Sequence, residues 1–190
     1  MLEFLKNFDS NFFLFLNSFH SSFFDIVMWY ISDKKTWIPL YILIIFFIIK
    51  NKKKQAFLII CFIILTILIA DQSSVFLKNF FERLRPCHEI SIKDIVHTVN
   101  NKCGGKFSFV SSHASNVFAF ATFISLFFHK RLISYGIFFW AFIVSYSRIY
   151  LGVHYFFDII FGILLGIFIG FLNFNLYEIA KEQNFKFIKK

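Results

Sequence analysis

The sequence predicts an all-α protein: a polytopic membrane helical bundle of about six transmembrane helices with an N-terminal interfacial segment. Three observations carry this expectation. Of the 190 residues, 58% are hydrophobic and the mean hydropathy is +0.68, well above the roughly 45–50% apolar usage of soluble domains. Apolar runs recur at about 36–49, 56–70, 114–128, 132–147 and 155–174, and unbroken runs of this kind suit helices better than the alternating strands of a membrane barrel. The breaks between runs carry short basic clusters, at 50–54 and 129–131, as topology signals do. Five or six spans of about 20 residues each use nearly the whole chain, so residues 1–190 form a single domain.

The first 35 residues contain Asn17, His20, Ser21, Ser22 and Asp25 among apolar neighbours. An interfacial amphipathic helix followed by a partial span fits them about as well as one crossing. The opening MLEFLKNFDSNFF has one Lys, two acids and no small-residue cleavage site, so it lacks the pattern of a removable signal. The run TWIPLYILIIFFII (36–49) is the first full span, and the lysines at 50–54 separate it from the run beginning at 56. That second run continues as one long helix through ADQSSVFLKNFFERLRP until Pro86, which lacks an N–H and restricts Arg85 before it. Residues 87–110 form the one long polar connection, turning at Gly104 and Gly105. Three further spans follow.

With the 50–54 loop in the cytoplasm, the 71–110 segment and the 148–154 turn lie outside, and the 129–131 turn and the tail lie inside. Lys and Arg then number eleven inside (Lys6, Lys50, Lys52, Lys53, Lys54, Lys130, Arg131, Lys181, Lys186, Lys189, Lys190) against nine outside, a weak bias taken alone. The formal charge of +9 is therefore read as topology and site charge, with no nucleic acid as partner.

Under this topology LKNFFERLRP (77–86), VSSH (110–113) and SRIYLGVHYFFD (147–158) end on one external face. Lys78 and Arg85 stand seven residues apart, which at about 100° per residue returns to one helix face, so both can address a phosphate. Ser111 and Ser112 open the next span, where a Ser can cap and first-turn N–H groups attract anions. His113 sits in that turn. Gly152 breaks the backbone, after which His154 and Asp158 lie four apart on a new helix. An Asp so placed can accept the Nδ1–H of His154 and leave Nε2 unprotonated and nucleophilic. Charged side chains near hydrocarbon cost about 2.5–3.5 kcal/mol each on insertion scales, so this cluster requires pairing, water or a function. An anionic ligand balances Lys78, Arg85 and Arg148.

These residues resemble the type-2 phosphatidic acid phosphatase superfamily, whose fingerprint runs K-x6-R-P, P-S-G-H and S-R-x5-H-x3-D. The chain has Lys78 to Arg85-Pro86, then Val110-Ser111-Ser112-His113, then Ser147-Arg148 to His154 to Asp158. The departures are Val110 for Pro and Ser112 for Gly. The resemblance implies a metal-independent, cofactor-free hydrolase of lipid phosphoric monoesters or diphosphates, in the bacterial cytoplasmic (inner) membrane with its site on the periplasmic face. It implies that His154 attacks phosphorus to give a phosphohistidine, that Asp158 orients it, and that His113 serves the leaving oxygen and then the water. Lys78, Arg85, Arg148, Ser111 and Ser112 are the implied phosphate holders. Undecaprenyl diphosphate of cell-wall lipid metabolism is the first substrate expectation. Phosphatidylglycerol phosphate, phosphatidic acid and the phosphates of lipid A are alternatives, as is a phosphotransferase using the same residues.

Set apart from the pattern, Arg148 reads as an interfacial Arg snorkelling to headgroups, and Lys78 and Arg85 as a solvated helix end. Glu82 and Arg83 are read that way here. His20, His88, His97 and His129 have no partner pattern and are read as structural, Asp71 as marking the interface, and Cys61 as apolar filler. Cys87 and Cys103 share the polar loop. A disulfide closing about 17 residues contributes roughly 3 kcal/mol to loop order; the alternative, zinc with His88 and His97, matches no common ligand spacing. A channel or anion carrier needs polar residues along the spans, and the middles of 56–70 and 155–174 have almost none. Soluble haloperoxidases share the phosphate-pocket motif, and the hydropathy argues against them.

Overall fold

Each apolar run becomes a helix. The computed structural model describes residues 2–188, with side chains for 3–183. It contains α1 (Leu2–Asn17), α2 (Ser22–Ser32), α3 (Ile38–Lys52), α4 (Ala56–Phe81), α5 (Ser112–Phe128), α6 (Arg131–Tyr150) and α7 (Phe156–Ile188). Pro39 stands in the first turn of α3, where its missing N–H is no loss, and Lys50 and Lys52 face the negative end of the same helix. Three stretches, 34–81, 131–150 and 156–183, are long and apolar enough to cross a membrane. The first holds α3 and α4, folded back on each other at a turn of Lys53–Gln55. With the 17-residue α5, the bundle has five passes, α3 to α7. Phe46, Phe57, Phe76, Leu132, Phe142 and Phe168 are exposed on its outside, where lipid is the solvent.

Both N-terminal helices lie across one end of the bundle. Asp9, midway along α1, accepts from Phe157 N at 2.9 Å, while Asn17 at its end donates to Ile149 O and Tyr150 O at 3.1 and 2.9 Å. Ser21, just before α2, donates its N–H to Tyr150 Oη at 3.1 Å, and Ser32 at the other end of α2 accepts from Arg148. Each helix touches the α6–α7 turn at widely spaced points, so neither runs down the bundle. The first 35 residues are therefore interfacial and add no sixth pass. Lys6, counted above with the inner lysines, moves to the site end with α1, which removes the small charge excess. Lys189 and Lys190 of the tail lie outside the described residues.

The helix expected to run to Pro86 stops at Phe81. Glu82 adopts the left-handed region (φ 47°), and its N–H closes back on Lys78 O at 3.0 Å. The chain leaves extended, with Arg85 at φ −70°, ψ 154° as a residue before proline must be. It pairs there with the returning loop: Arg85 N donates to Lys106 O at 3.2 Å and Ser108 N to Arg83 O at 2.8 Å. Lys78 and Arg85 consequently do not share a helix face.

The buried α5 is the hub, packing on α4, α6 and α7. Ala114, Ala119, Ala121, Phe123 and Ile124 are fully enclosed along it. Against it α7 presents glycines: a Cβ at Gly166 would lie 2.4 Å from Ser115 O, and one at Gly170 2.5 Å from Ala119 O. The two helices thus approach backbone to backbone, as small residues permit in membranes. Gly166→Val should force them apart at a cost of about 1–3 kcal/mol, lowering the thermal unfolding midpoint in detergent. Gly136→Val, whose Cβ meets nothing within 4 Å, should leave that midpoint in place.

Candidate active site

Buried polar residues gather where the C-terminal end of α4 and the N-terminal end of α5 meet the α6–α7 turn. Ser111 caps α5, its Oγ accepting from Ala114 N at 3.5 Å, and its own N–H donates to Asp158 O at 3.0 Å. The starts of α5 and α7 are thereby tied together. His113, in the first turn of α5, borders a cavity of about 210 Å³ shared with Ser32, Lys34, Trp37 and Asn116.

Ser112 and Val110, the two departures from the family pattern, both serve Lys78. Lys78 Nζ donates to Val110 O and, at 3.0 Å, to Ser112 Oγ, which also accepts from Ser74 Oγ at 2.7 Å. The Ser112 hydroxyl is therefore turned toward α4. It holds Lys78 in place, rather than standing free for a phosphate.

The α6–α7 turn needs a glycine at 152: φ is +73°, and a Cβ would lie 2.4 Å from His97 O. Beyond it His154 and Asp158 are 2% and 0% exposed, with His154 Nδ1 3.4 Å from Asp158 Oδ2. That oxygen accepts from Tyr155 N at 2.9 Å, whereas His154 Nδ1 has no hydrogen-bond partner among the described residues; His154 lies in the turn before α7 rather than on one helix with Asp158. Asp158 Oδ1 accepts from Arg83 Nη1 at 3.0 Å, and Arg83 Nη2 reaches Asp9 Oδ2 at 2.7 Å.

Three cations stand around His154. Arg85 donates Nε to Phe107 O at 3.2 Å and Nη1 to Cys103 O and Val153 O at 3.3 and 3.4 Å. Arg148 donates Nη1 to Ser32 Oγ, while its buried Nε has no partner. Among the described residues, neither of these nor Lys78 is paired with a carboxylate. Burial holds the His154 pKa well below the usual histidine value, and the charges of Arg85, Arg148 and Lys78 push it the same way. Burial likewise lowers Arg85, with Asp158 opposing. His154 is therefore a neutral imidazole at neutral pH.

All eight residues singled out from the sequence lie at this one end. Lys78 meets Ser112, Ser111 meets Asp158 and Asp158 meets His154, while His113 lies near enough for the charges of Arg148 and His154 to bear on it. Several other expectations need correction. Arg83 is no solvated residue: the left-handed exit at Glu82 turns it inward onto Asp9 and Asp158. Asp71 faces the bundle, accepting from Asn116 Nδ2 at 3.0 Å. His97 does have partners, with Nε2 2.8 Å from Asp25 Oδ1 and its ring stacked at 3.8 Å on His20. Cys87 and Cys103 form a disulfide, so the zinc alternative loses both sulfur ligands. Asp9, Ser32 and Ser74 were missed. The one signal for Asp9 is an acid on a Phe-rich amphipathic stretch.

The PAP2 superfamily model matches residues 56–181. Lipid A 4'-phosphatase of Bacteroides thetaiotaomicron is 42% identical over 187 residues, covering 96% of this chain and 81% of that protein. Lipid A 4'-phosphatase of Porphyromonas gingivalis is 37% identical over 184 residues, covering 96% and 78%. The crystal structure of Aquifex aeolicus LpxE superposes with a TM-score of 0.69 at 25% identity over 87% of this chain and 93% of its own. A transmembrane PAP2 type phosphatidylglycerolphosphate phosphatase from Bacillus subtilis shares the fold, with a TM-score of 0.71 at 24% identity over 92% and 86% of the two chains. The matched span contains both histidines, the three free cations and four of the five passes around them, and the chain belongs to the PAP2 superfamily as a membrane lipid phosphatase.

Proposed function

We propose that the protein hydrolyses a phosphate monoester of a lipid A-type glycolipid at the membrane surface, through a phosphohistidine on His154. The observation that carries the chemistry is the set of three cations without carboxylate partners around a buried neutral imidazole. Uncompensated charge in such a place is costly until an anion arrives. The two lipid A 4'-phosphatase relatives move the substrate from undecaprenyl diphosphate to the glycolipid alternative. The surroundings of Arg148 suit a sugar: a cavity of about 320 Å³ there is lined by Trp29, Ser32, Asp33, Lys35, Lys102 and Leu151, an aromatic face with donors and acceptors. An apolar groove of about 360 Å³ between α1, α6 and α7, with Phe12, Phe142, Ile149 and Phe156, suits an acyl chain.

His154 Nε2 attacks phosphorus, the bond to the sugar oxygen breaks, and His113 gives that oxygen a proton. Water then attacks the phosphohistidine, His113 takes its proton, and inorganic phosphate leaves. Asp158 keeps the Nδ1 proton of His154 in place, and their 3.4 Å contact tightens as imidazolium charge develops. Lys78, Arg85, Arg148 and the first-turn amides of α5 hold the non-bridging oxygens. Charge neutralisation falls to these side chains, and no step is assigned to a metal. The Cys87–Cys103 disulfide fits an oxidising compartment and supports a periplasmic site.

Four measurements test this. Against a panel of lipid A, undecaprenyl diphosphate, phosphatidylglycerol phosphate and phosphatidic acid, phosphate release by the purified protein should have its highest kcat/KM on lipid A; preference for the diphosphate overturns the substrate. His154→Ala should abolish turnover and His113→Ala should lower kcat about 10²–10⁴-fold, while EDTA leaves the rate unchanged. Because the nucleophile is the deprotonated imidazole and its pKa is lowered, the acid limb of kcat/KM should lie below about pH 6.5, the ordinary histidine value. Arg148→Met, which removes one of the cations, should move that limb upward. After reduction, a membrane-impermeant thiol reagent should label Cys87 and Cys103 in intact spheroplasts, and labelling only after lysis reverses the orientation.

A further inference from the structure

Arg83 and Asp9 form the shortest ion pair at the site, and phosphoryl transfer on His154 does not use them directly. The two ends of the Arg83 guanidinium each hold a carboxylate, Asp9 Oδ2 at 2.7 Å and Asp158 Oδ1 at 3.0 Å. The Asp9 and Asp158 side chains are 1% and 0% exposed. The second oxygen of each carboxylate accepts from the start of α7: Asp9 Oδ1 from Phe157 N and Asp158 Oδ2 from Tyr155 N, both at 2.9 Å. The guanidinium itself lies 3.9 Å above the Tyr155 ring. Arg83, from the segment after α4, therefore links Asp9 of α1 to Asp158 of α7, the carboxylate behind His154. An amphipathic helix that needed only to rest on the membrane would have no use for a fully buried Asp.

We infer that Asp9 and Arg83 are positioning residues for phosphoryl transfer, through which the interfacial helix α1 sets the orientation and the charge that Asp158 presents to His154. This rests on His154 being the nucleophile. The charged groups facing His154 are Arg85 from the polar loop, Arg148 from α6, Lys78 from α4 and Asp158 from α7, and the titratable His113 faces it from α5. Those facing Asp158 are Arg83, Lys78, Arg85 and Asp9. Removing the Arg83 charge leaves Asp158 less compensated, so the imidazolium of His154 is favoured and the acid limb of kcat/KM rises. Removing the Asp9 charge leaves Arg83 more positive toward Asp158, so the limb falls. A pair that only holds helices together moves the limb in neither direction.

The test uses the full chain in detergent with lipid A as substrate, following phosphate release across pH for Arg83→Met, Arg83→Lys, Asp9→Asn and His154→Ala. Arg83→Met should lower kcat on the order of 100-fold with KM little changed, and move the acid limb up by about one pH unit. Asp9→Asn should lower kcat and move the limb down by less. Arg83→Lys keeps the charge but cannot fork between two carboxylates, so it should hold the limb near that of the parent while recovering only part of kcat. Should Arg83→Met fail to elute as a folded species, Asp9→Asn and Arg83→Lys decide the matter by the same readouts. Limbs that stay fixed in Arg83→Met and Asp9→Asn, or an undiminished kcat in Asp9→Asn and Arg83→Lys, overturn the positioning role. In that case an inactive His154→Ala leaves the phosphohistidine reading standing. Turnover by His154→Ala overturns both.

Discussion

Arg83 keeps the charges of the site from cancelling one another. Two buried carboxylates and three cations share one end of an apolar bundle, and opposite charges so close would ordinarily pair. Because Arg83 holds both Asp9 and Asp158, Lys78, Arg85 and Arg148 are left on carbonyls and hydroxyls. Hydrogen bonds to neutral acceptors satisfy the geometry of a cation without neutralising its charge. The positive field that remains adds to burial in favouring the neutral form of His154.

The backbone supports that separation at three points. The left-handed residue Glu82 takes the chain out of α4 before Arg83, so Arg83 turns toward α1 and α7 while Arg85, paired to the returning loop, turns toward His154. The disulfide joins Cys87 to Cys103, and the Cys103 carbonyl is one of the acceptors for Arg85. Ser111 ties the first turn of α5 to Asp158. Each device places a charged group by way of main-chain geometry, where little freedom is left to the side chain.

Legibility in the sequence followed the range of the interaction. Ser111, His113 and Asp158 could be placed because each stands at a helix start, where local signals are strong; His154, four residues before Asp158, falls in the turn just ahead of α7. Arg85 was assigned to the right place for the wrong reason, since a seven-residue spacing shows a shared face only if the helix continues. Arg83 and Asp9 stand 74 positions apart, and no period in the chain announces a pairing of that length. The same holds for Asn17, which crosses 132 positions to Ile149 O, and for His97 with Asp25 at 72. The amphipathic first 35 residues left crossing and resting on the surface open; only the polar anchors on the α6–α7 turn distinguish them.

The glycine-to-carbonyl seam between α5 and α7 welds the helix that carries His113 to the helix that begins two residues after His154. Around them α1, α2 and the disulfide loop are held both by polar anchors and by apolar contacts such as Phe13 on Tyr155 and Met28 and Trp29 beside Tyr150 and Leu151. Through Asp9 and Arg83, a helix outside that seam bears on the carboxylate beside His154.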